Sequence, residues 1–446
     1  MTNKSRSNSR WAGLVRIGAL ALAVASASAC NDFLTASNPG AVEEPDVTDV
    51  AYIGLIANGP IYGFQDANDD LTYWNGQLTD ELVNRGNNNP FVEEGQIDRR
   101  ELYSDMSYIN AFLYAPMQRA RFLGDDGTAR LKTLLADSAS SDLRVARALA
   151  FAGYSYTVLG ETFCVTPIDL GVPKTTEEMM TDAIARFQEA VTVANAAKAK
   201  AQSRTPVNTA TVLGADSVRT FALVGAARAA LNRNDKTAAA NFAGQVPASF
   251  IYLLYYSDNT TAQNNRTYNR LTVGSNAWLN FTPFAAMTTD PRVPRITGTT
   301  TRAGTPLASS AYSTFNNSVV GANFAAVMSF RIASGLETRY IIAETQGPTA
   351  ATLVFVNERR AAGNQAAVSL SGDALMAELR DQRSRDFYLD GHRLGDLRRY
   401  KKYYNVDLFP KGPYPGSTSG QIYDETITCW PLPTNEINGN PNIPKG

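Results

Sequence analysis

One histidine in 446 residues is the sequence's most restrictive feature. Imidazole is the commonest metal ligand and the usual general base near neutral pH. A histidine-rich metal centre and a Ser-His-Asp triad therefore both lose their usual residue, and His392 is the one candidate for either. Cysteine is nearly as scarce: three residues cannot build a disulfide-dense scaffold. Neither charge sign dominates. With 41 Lys and Arg against 42 Asp and Glu, the chain has no global electrostatic footprint for nucleic acid or an anionic membrane surface. The apolar run Ile17–Val24 is shorter than the roughly 20 residues a spanning helix needs.

What is present at the start reads as an export signal. Lys4, Arg6, Arg10 and Arg16 precede that apolar run, small residues follow it, and Ala27-Ser28-Ala29-Cys30 resembles a bacterial lipobox. Residues 1–29 are thus expected to be a lipoprotein signal peptide, with Cys30 lipidated and residues 30–46 a tether rich in Pro, Gly, Ser and Asn. Setting Cys30 aside leaves Cys164 and Cys429, which an exported chain can bridge if the fold brings them together. Hydrophobic residues make up 44 % of the chain, enough for a full core.

Helical patterning dominates the body. Residues 97–122 read as a long or kinked helix with a boundary at Pro116, and Gly63–Asp70 and Asn84–Pro90 read as polar loops. Asp66, Asn68 and Asp70 have the odd spacing of a calcium loop. Leu71 and Gln77, however, stand where its glycine and its last acidic ligand belong, so a solvated turn is expected and no metal. The run from Leu143 to Phe163 is helical with a small and large apolar face. Thr175 and Glu178 form a capping box before an amphipathic helix carrying Met180, Ile184, Phe187 and Val191. Val218–Leu231 is apolar on most of its surface, and Leu336–Thr345 with Pro348–Ala362 forms a later helix pair. Paired helices of this kind suggest a tetratricopeptide-like array over about 141–246 and 335–400, without a strict 34-residue repeat.

Residues 247–334 change character. Tyr252, Tyr255, Tyr256, Tyr268, Trp278, Phe281, Phe284, Tyr312 and Phe315 are interleaved with Asn, Thr, Ser, Gly and Pro. Aromatic faces with amide and hydroxyl partners and little charge suit a neutral polar ligand such as carbohydrate, although each ring can equally serve as core. Tyr73 and Trp74 make a second aromatic pair beside a polar stretch. The expected ligand residues are Tyr73, Trp74, Trp278 and Phe281.

The densest charge lies in Glu378–Tyr400, ELRDQRSRDFYLDGHRLGDLRRY. It reads as a helix that stops at Gly391 and a second short helix after it, with charges partly buried and paired in a structural clasp of Arg383, Asp386, Gly391, His392, Arg393 and Asp396. An acid–base use of Asp386, Asp390, His392 and Asp396 is open on residue type alone, but no nucleophile accompanies a base. This run, with Arg383, Arg385, Asp386, Gly391, His392, Arg393, Asp396, Leu397, Arg398 and Arg399, resembles the C-terminal signature of the SusD/RagB family of outer-membrane nutrient-binding lipoproteins. Trp430, Pro431, Pro433, Glu436, Asn440, Pro441 and Asn442 fit the same family's ending, an extended strap that is expected not to be helical.

The resemblance implies a mostly α, SusD-like domain over residues 47–446, its helical array carrying an irregular, aromatic-rich insert at about 247–334 and a strap at 401–446. It also implies a binding protein without catalytic residues or cofactor. Such a protein captures oligosaccharide at the cell surface and hands it to a SusC-type TonB-dependent transporter in the outer membrane. Rival readings are a peptide-binding member of the family, a secreted glycan-cleaving enzyme, for which no spacing singles out a carboxylate pair, and a helical scaffold binding only proteins.

Overall fold

A computed structural model describes residues 49–84, 93–267, 277–278, 282–287, 289–293, 300–302, 305–307, 327–414 and 420–444. The export signal, Cys30, the tether and Phe281 lie outside the described residues. The chain divides into two units, 1–52 and 53–446. The described part of the first is a single 3-10 turn, Val50–Tyr52, with the Tyr52 N–H donating to the Asp49 carbonyl at 3.0 Å.

The second unit is mostly helical. Its helices are α1 Ile53–Leu78, α2 Glu93–Asp98, α3 Ala115–Leu135, α4 Leu143–Thr162, α5 Thr176–Gln202, α6 Thr209–Asn232, α7 Lys236–Ala243, α8 Gly335–Gln346, α9 Ala350–Ala362, α10 Gly372–Asp386, α11 Arg393–Tyr404 and α12 Thr434–Gly439. Consecutive members from α3 to α7 pack on one another, as expected of a repeat array, and α1 packs on α3 and α4.

Local chemistry sets these boundaries. Asp142 caps α4 by accepting from the Arg144 N–H at 2.9 Å. The Thr175 N–H donates to Glu178 at 2.7 Å and the Glu178 N–H returns to the Thr175 hydroxyl at 3.3 Å, closing the capping box of α5. Close helix contacts rely on small residues. A Cβ at Gly153 or Gly225 would lie 2.6 or 2.3 Å from the ring of Phe187, which wedges α5 against α4 and α6.

Three readings are corrected. Gly63–Asp70 lies inside α1 and is no loop: Arg266 donates to Asp66 at 2.6 Å and to Asp70 at 3.0 Å, and its backbone N–H donates to Asp69 at 2.7 Å. A counter-charge some 200 residues downstream lets the acidic run stay helical and buried. The 97–122 stretch is no single helix either. α2 ends at Asp98, a π-helical turn covers Ile109–Tyr114, and Pro116 sits in the first turn of α3, where its missing N–H costs no helical bond. The tail does include a helix, because 434–439 holds no proline and Pro433 occupies the N-cap with a compatible φ of −69°.

The insert begins and ends in one ribbon. Strand β2, Ile251–Leu254, pairs antiparallel with β6, Phe330–Ser334, whose residues are all buried. An aromatic column ties the ribbon to the array: Tyr154 of α4 stacks on Phe221 of α6 at 4.3 Å, and Phe221 stacks on Tyr252 of β2 at 3.9 Å.

Candidate functional site

The clasp forms where α10 ends and α11 begins. Leu389 and Gly391 have φ of +52° and +84°, so the chain reverses through left-handed backbone that glycine adopts freely. Around this turn every ionised side chain has a partner. Arg383 donates to Asp396 at 2.6 Å. Arg399 donates to Asp396 at 2.8 Å and to Glu344 of α8 at 2.9 Å. Arg393 grips both oxygens of Asp80, at 2.6 and 2.5 Å, and Asp386 accepts from Arg359 at 2.8 and 2.7 Å.

His392 places Nδ1 2.6 Å from Asp390, and Nε2 lies 2.6 Å from Arg228, which in turn donates to Glu337. Burial alone would push Glu337 and Asp396 up, but Arg228 and His392 outweigh it at the first and Arg383 and Arg399 at the second. Both carboxyls are held well below the usual carboxylate range. Asp386, Asp390 and Asp396 are thus partners of fixed cations, an arrangement that joins α6, α8, α9, α10, α11, β6 and the turn after α1.

The aromatic residues expected to meet ligand fall in different places. Tyr73 and Trp74 are 2 % and 1 % exposed, packed edge to face at 5.0 Å, with Tyr108 a further 4.8 Å from the indole. They offer no face to a ligand. Trp278 pairs through its backbone with Val83, where the two-residue strands β1, Val83–Asn84, and β3, Ala277–Trp278, run antiparallel. Cys164 and Cys429 are joined, S–S 1.96 Å, beside a backbone bridge between Phe163 and Trp430.

An open recess lies where α1 meets β2 and the segment after it. Tyr62 and Tyr255 are 50 % and 71 % exposed. They flank a cavity of about 150 Å³ whose polar lining comes from Gln65, Asp66, Gln263 and Asn264. A contiguous groove of about 450 Å³ shares Gln65 and Tyr255 and runs along Ile251–Leu254 to Phe151 and Ser217. Gln65 donates to the Tyr255 carbonyl at 2.6 Å and Asp66 is held by Arg266, so these two polar groups are fixed before any ligand arrives. The composition of the insert pointed to Tyr252 and Tyr255. Tyr62 carried no signal, because on sequence it is one more apolar residue of a helix.

Fold and recess together define a helical array with an open recess flanked by tyrosines. Residues 354–445 match the SusD family model. Among solved structures, a SusD superfamily protein from Bacteroides fragilis aligns with TM-score 0.62 and 15 % identity, covering 89 % of this chain and 99 % of its own. A SusD-like carbohydrate binding protein from the same organism gives 0.62 and 14 % over the same shares. Surface glycan-binding protein A from Bacteroides uniformis gives 0.61 and 11 %, again over 89 % and 99 %. No curated protein matches the chain. The chain is SusD-like, by its family match over 354–445 and by its fold along most of its length.

Proposed function

We propose that this protein binds oligosaccharide in the recess between α1 and β2 and delivers it, uncleaved, to a SusC-type TonB-dependent transporter in the outer membrane. The observation that carries the reading is the exposed pair Tyr62 and Tyr255 around a preset polar lining of Gln65, Asp66, Gln263 and Asn264. Sugar rings present apolar faces that stack on such rings and hydroxyls that amides and carboxylates bind. Two structurally similar proteins are described as carbohydrate- or glycan-binding, which supports the same class of ligand. On this reading Cys30 carries the lipid, residues 30–46 are the tether, and the domain faces the cell exterior. Among the described residues no helix is long and apolar enough to cross a membrane. Trp278 and Phe281, from the same insert, are proposed to extend the ligand face.

The test is a calorimetric titration of the chain from residue 31 onward with a panel of plant and algal oligosaccharides, with the same samples assayed for released reducing ends. Saturable binding without release is expected. Tyr62→Ala and Tyr255→Ala should each weaken it by about tenfold, about 1.4 kcal/mol, near the upper end for one aromatic contact. Because both side chains are half exposed or more, the variants should melt like the parent. New reducing ends would make the protein an enzyme, and binding of peptides alone would move the ligand to the peptide class.

A further inference from the structure

A second cavity, of about 260 Å³, lies away from the tyrosine recess, among the ends of α4 and α6, the start of α5, and α11, with Thr428 of the strap also lining it. Thr428 adjoins the disulfide, so the strap is fixed where it borders this space.

Its charges do not balance as those of the clasp do. Arg398 Nη1 donates to the backbone carbonyls of Gly160, Glu161 and Phe163 at 2.9, 2.6 and 3.1 Å, and Nη2 to the Thr176 hydroxyl at 2.9 Å. Among the described residues its Nε has no partner and no carboxylate lies within 4 Å of the guanidinium. Arg383, Arg393 and Arg399, on the same two helices, all have carboxylate partners. Burial pulls Arg398 down to about 10, with Glu161 and Glu177 opposing only in part. Carbonyl dipoles orient a cation but cancel none of its charge, so a half-buried guanidinium held only by them can take an anion.

The other side chains leave room for one. Glu177 accepts from Lys402 and from the Tyr403 hydroxyl, which satisfies it. Lys401 and Lys402 stand 37 % and 56 % exposed at the mouth. Glu161 accepts from Asn232 on one oxygen, and its other oxygen has no protein partner among the described residues. Burial pushes this carboxyl up, against the pull of Arg228 and His392.

We propose that this cavity binds one small oxyanion, phosphate or carboxylate, with the Nε of Arg398 supplying the unpaired charge and Lys402, which also serves Glu177, a further donor. The cavity shares no lining residue with the recess, so this site is independent of the recess and of its ligand.

Thermal denaturation and calorimetry with inorganic phosphate, with glucuronate and with glucose, each against chloride of matched ionic strength, test it. Phosphate and glucuronate should raise Tm saturably while glucose does not. Lys402→Glu, a surface change that leaves the core intact, should weaken the response at least tenfold, and Arg398→Gln should abolish it. Tyr62→Ala/Tyr255→Ala should leave it unchanged. If Arg398→Gln fails to fold, the Lys402→Glu result decides. A phosphate effect no larger than that of chloride, or one that persists in Lys402→Glu, overturns the proposal. So does one that is lost in the tyrosine double variant.

Discussion

Glu81 shows how the fold sets a single carboxyl against solvent. Burial pushes it up to about 8, against the opposing pull of the Leu389 N–H, 2.8 Å away, and of Arg393, while Asp80 and Asp390 push the same way as burial. The unfolded value is near 4.5, so the folded value is the higher. Its contribution to stability is therefore full below about pH 4.5 and is lost as pH rises through 8. Glu81→Gln should flatten that fall. Urea unfolding of both proteins at pH 5 and pH 8 checks it, and an unchanged slope would mean that the carboxyl ionises freely in the fold. Its neighbour Asp80 is the counter-ion of buried Arg393. Asp80→Ala should cost about 3–5 kcal/mol in denaturant unfolding because it strands the guanidinium, and adding Arg393→Met should recover much of that loss. At this scale the sequence was half legible. Charges beside apolar anchors marked Arg383, Asp396 and Arg393 as paired, but Asp80 and Glu344 lie 313 and 55 residues from the arginines they serve, and no local pattern joins them.

Among the elements, α4, α5 and α6 hold together through one ring. Phe187 enters the space that Gly153 and Gly225 leave open. Gly225→Ala should cost about 1–3 kcal/mol by overpacking, and Phe187→Leu in the same chain should relieve part of it. Thermal unfolding of the two variants measures both, and a Gly225→Ala protein as stable as its parent would show that the ring can move aside. These helices were readable because their signals are local: a capping box at Thr175 and Glu178, and an apolar stripe with helical spacing. α1 was misread in its middle because what keeps Asp66, Asp69 and Asp70 helical is Arg266, beyond the reach of any periodicity. The recess fell between these cases. Aromatic composition marked the insert, yet half of its tyrosine pair comes from α1, and Tyr73 and Trp74, with the same composition, turned inward.

Over the whole molecule, the Cys164–Cys429 bridge closes a span of 265 residues. Replacing both cysteines by serine, or adding reductant, should lower stability by about 2–5 kcal/mol in calorimetric unfolding; no change would mean that the strap is held by packing alone. Beside that bridge Trp430 is fully buried. Its indole N–H donates to Asn75 of α1 at 2.8 Å, and its backbone N–H donates to the Thr162 carbonyl of α4 at 2.9 Å. The plug that completes the packing of the first long helix is thus supplied by a segment made some 350 residues later. A ribosome has to deliver nearly all of the chain before its earliest helix gains its last neighbour. Until then that helix lacks both the buried indole and the hydrogen bond that Trp430 brings to Asn75.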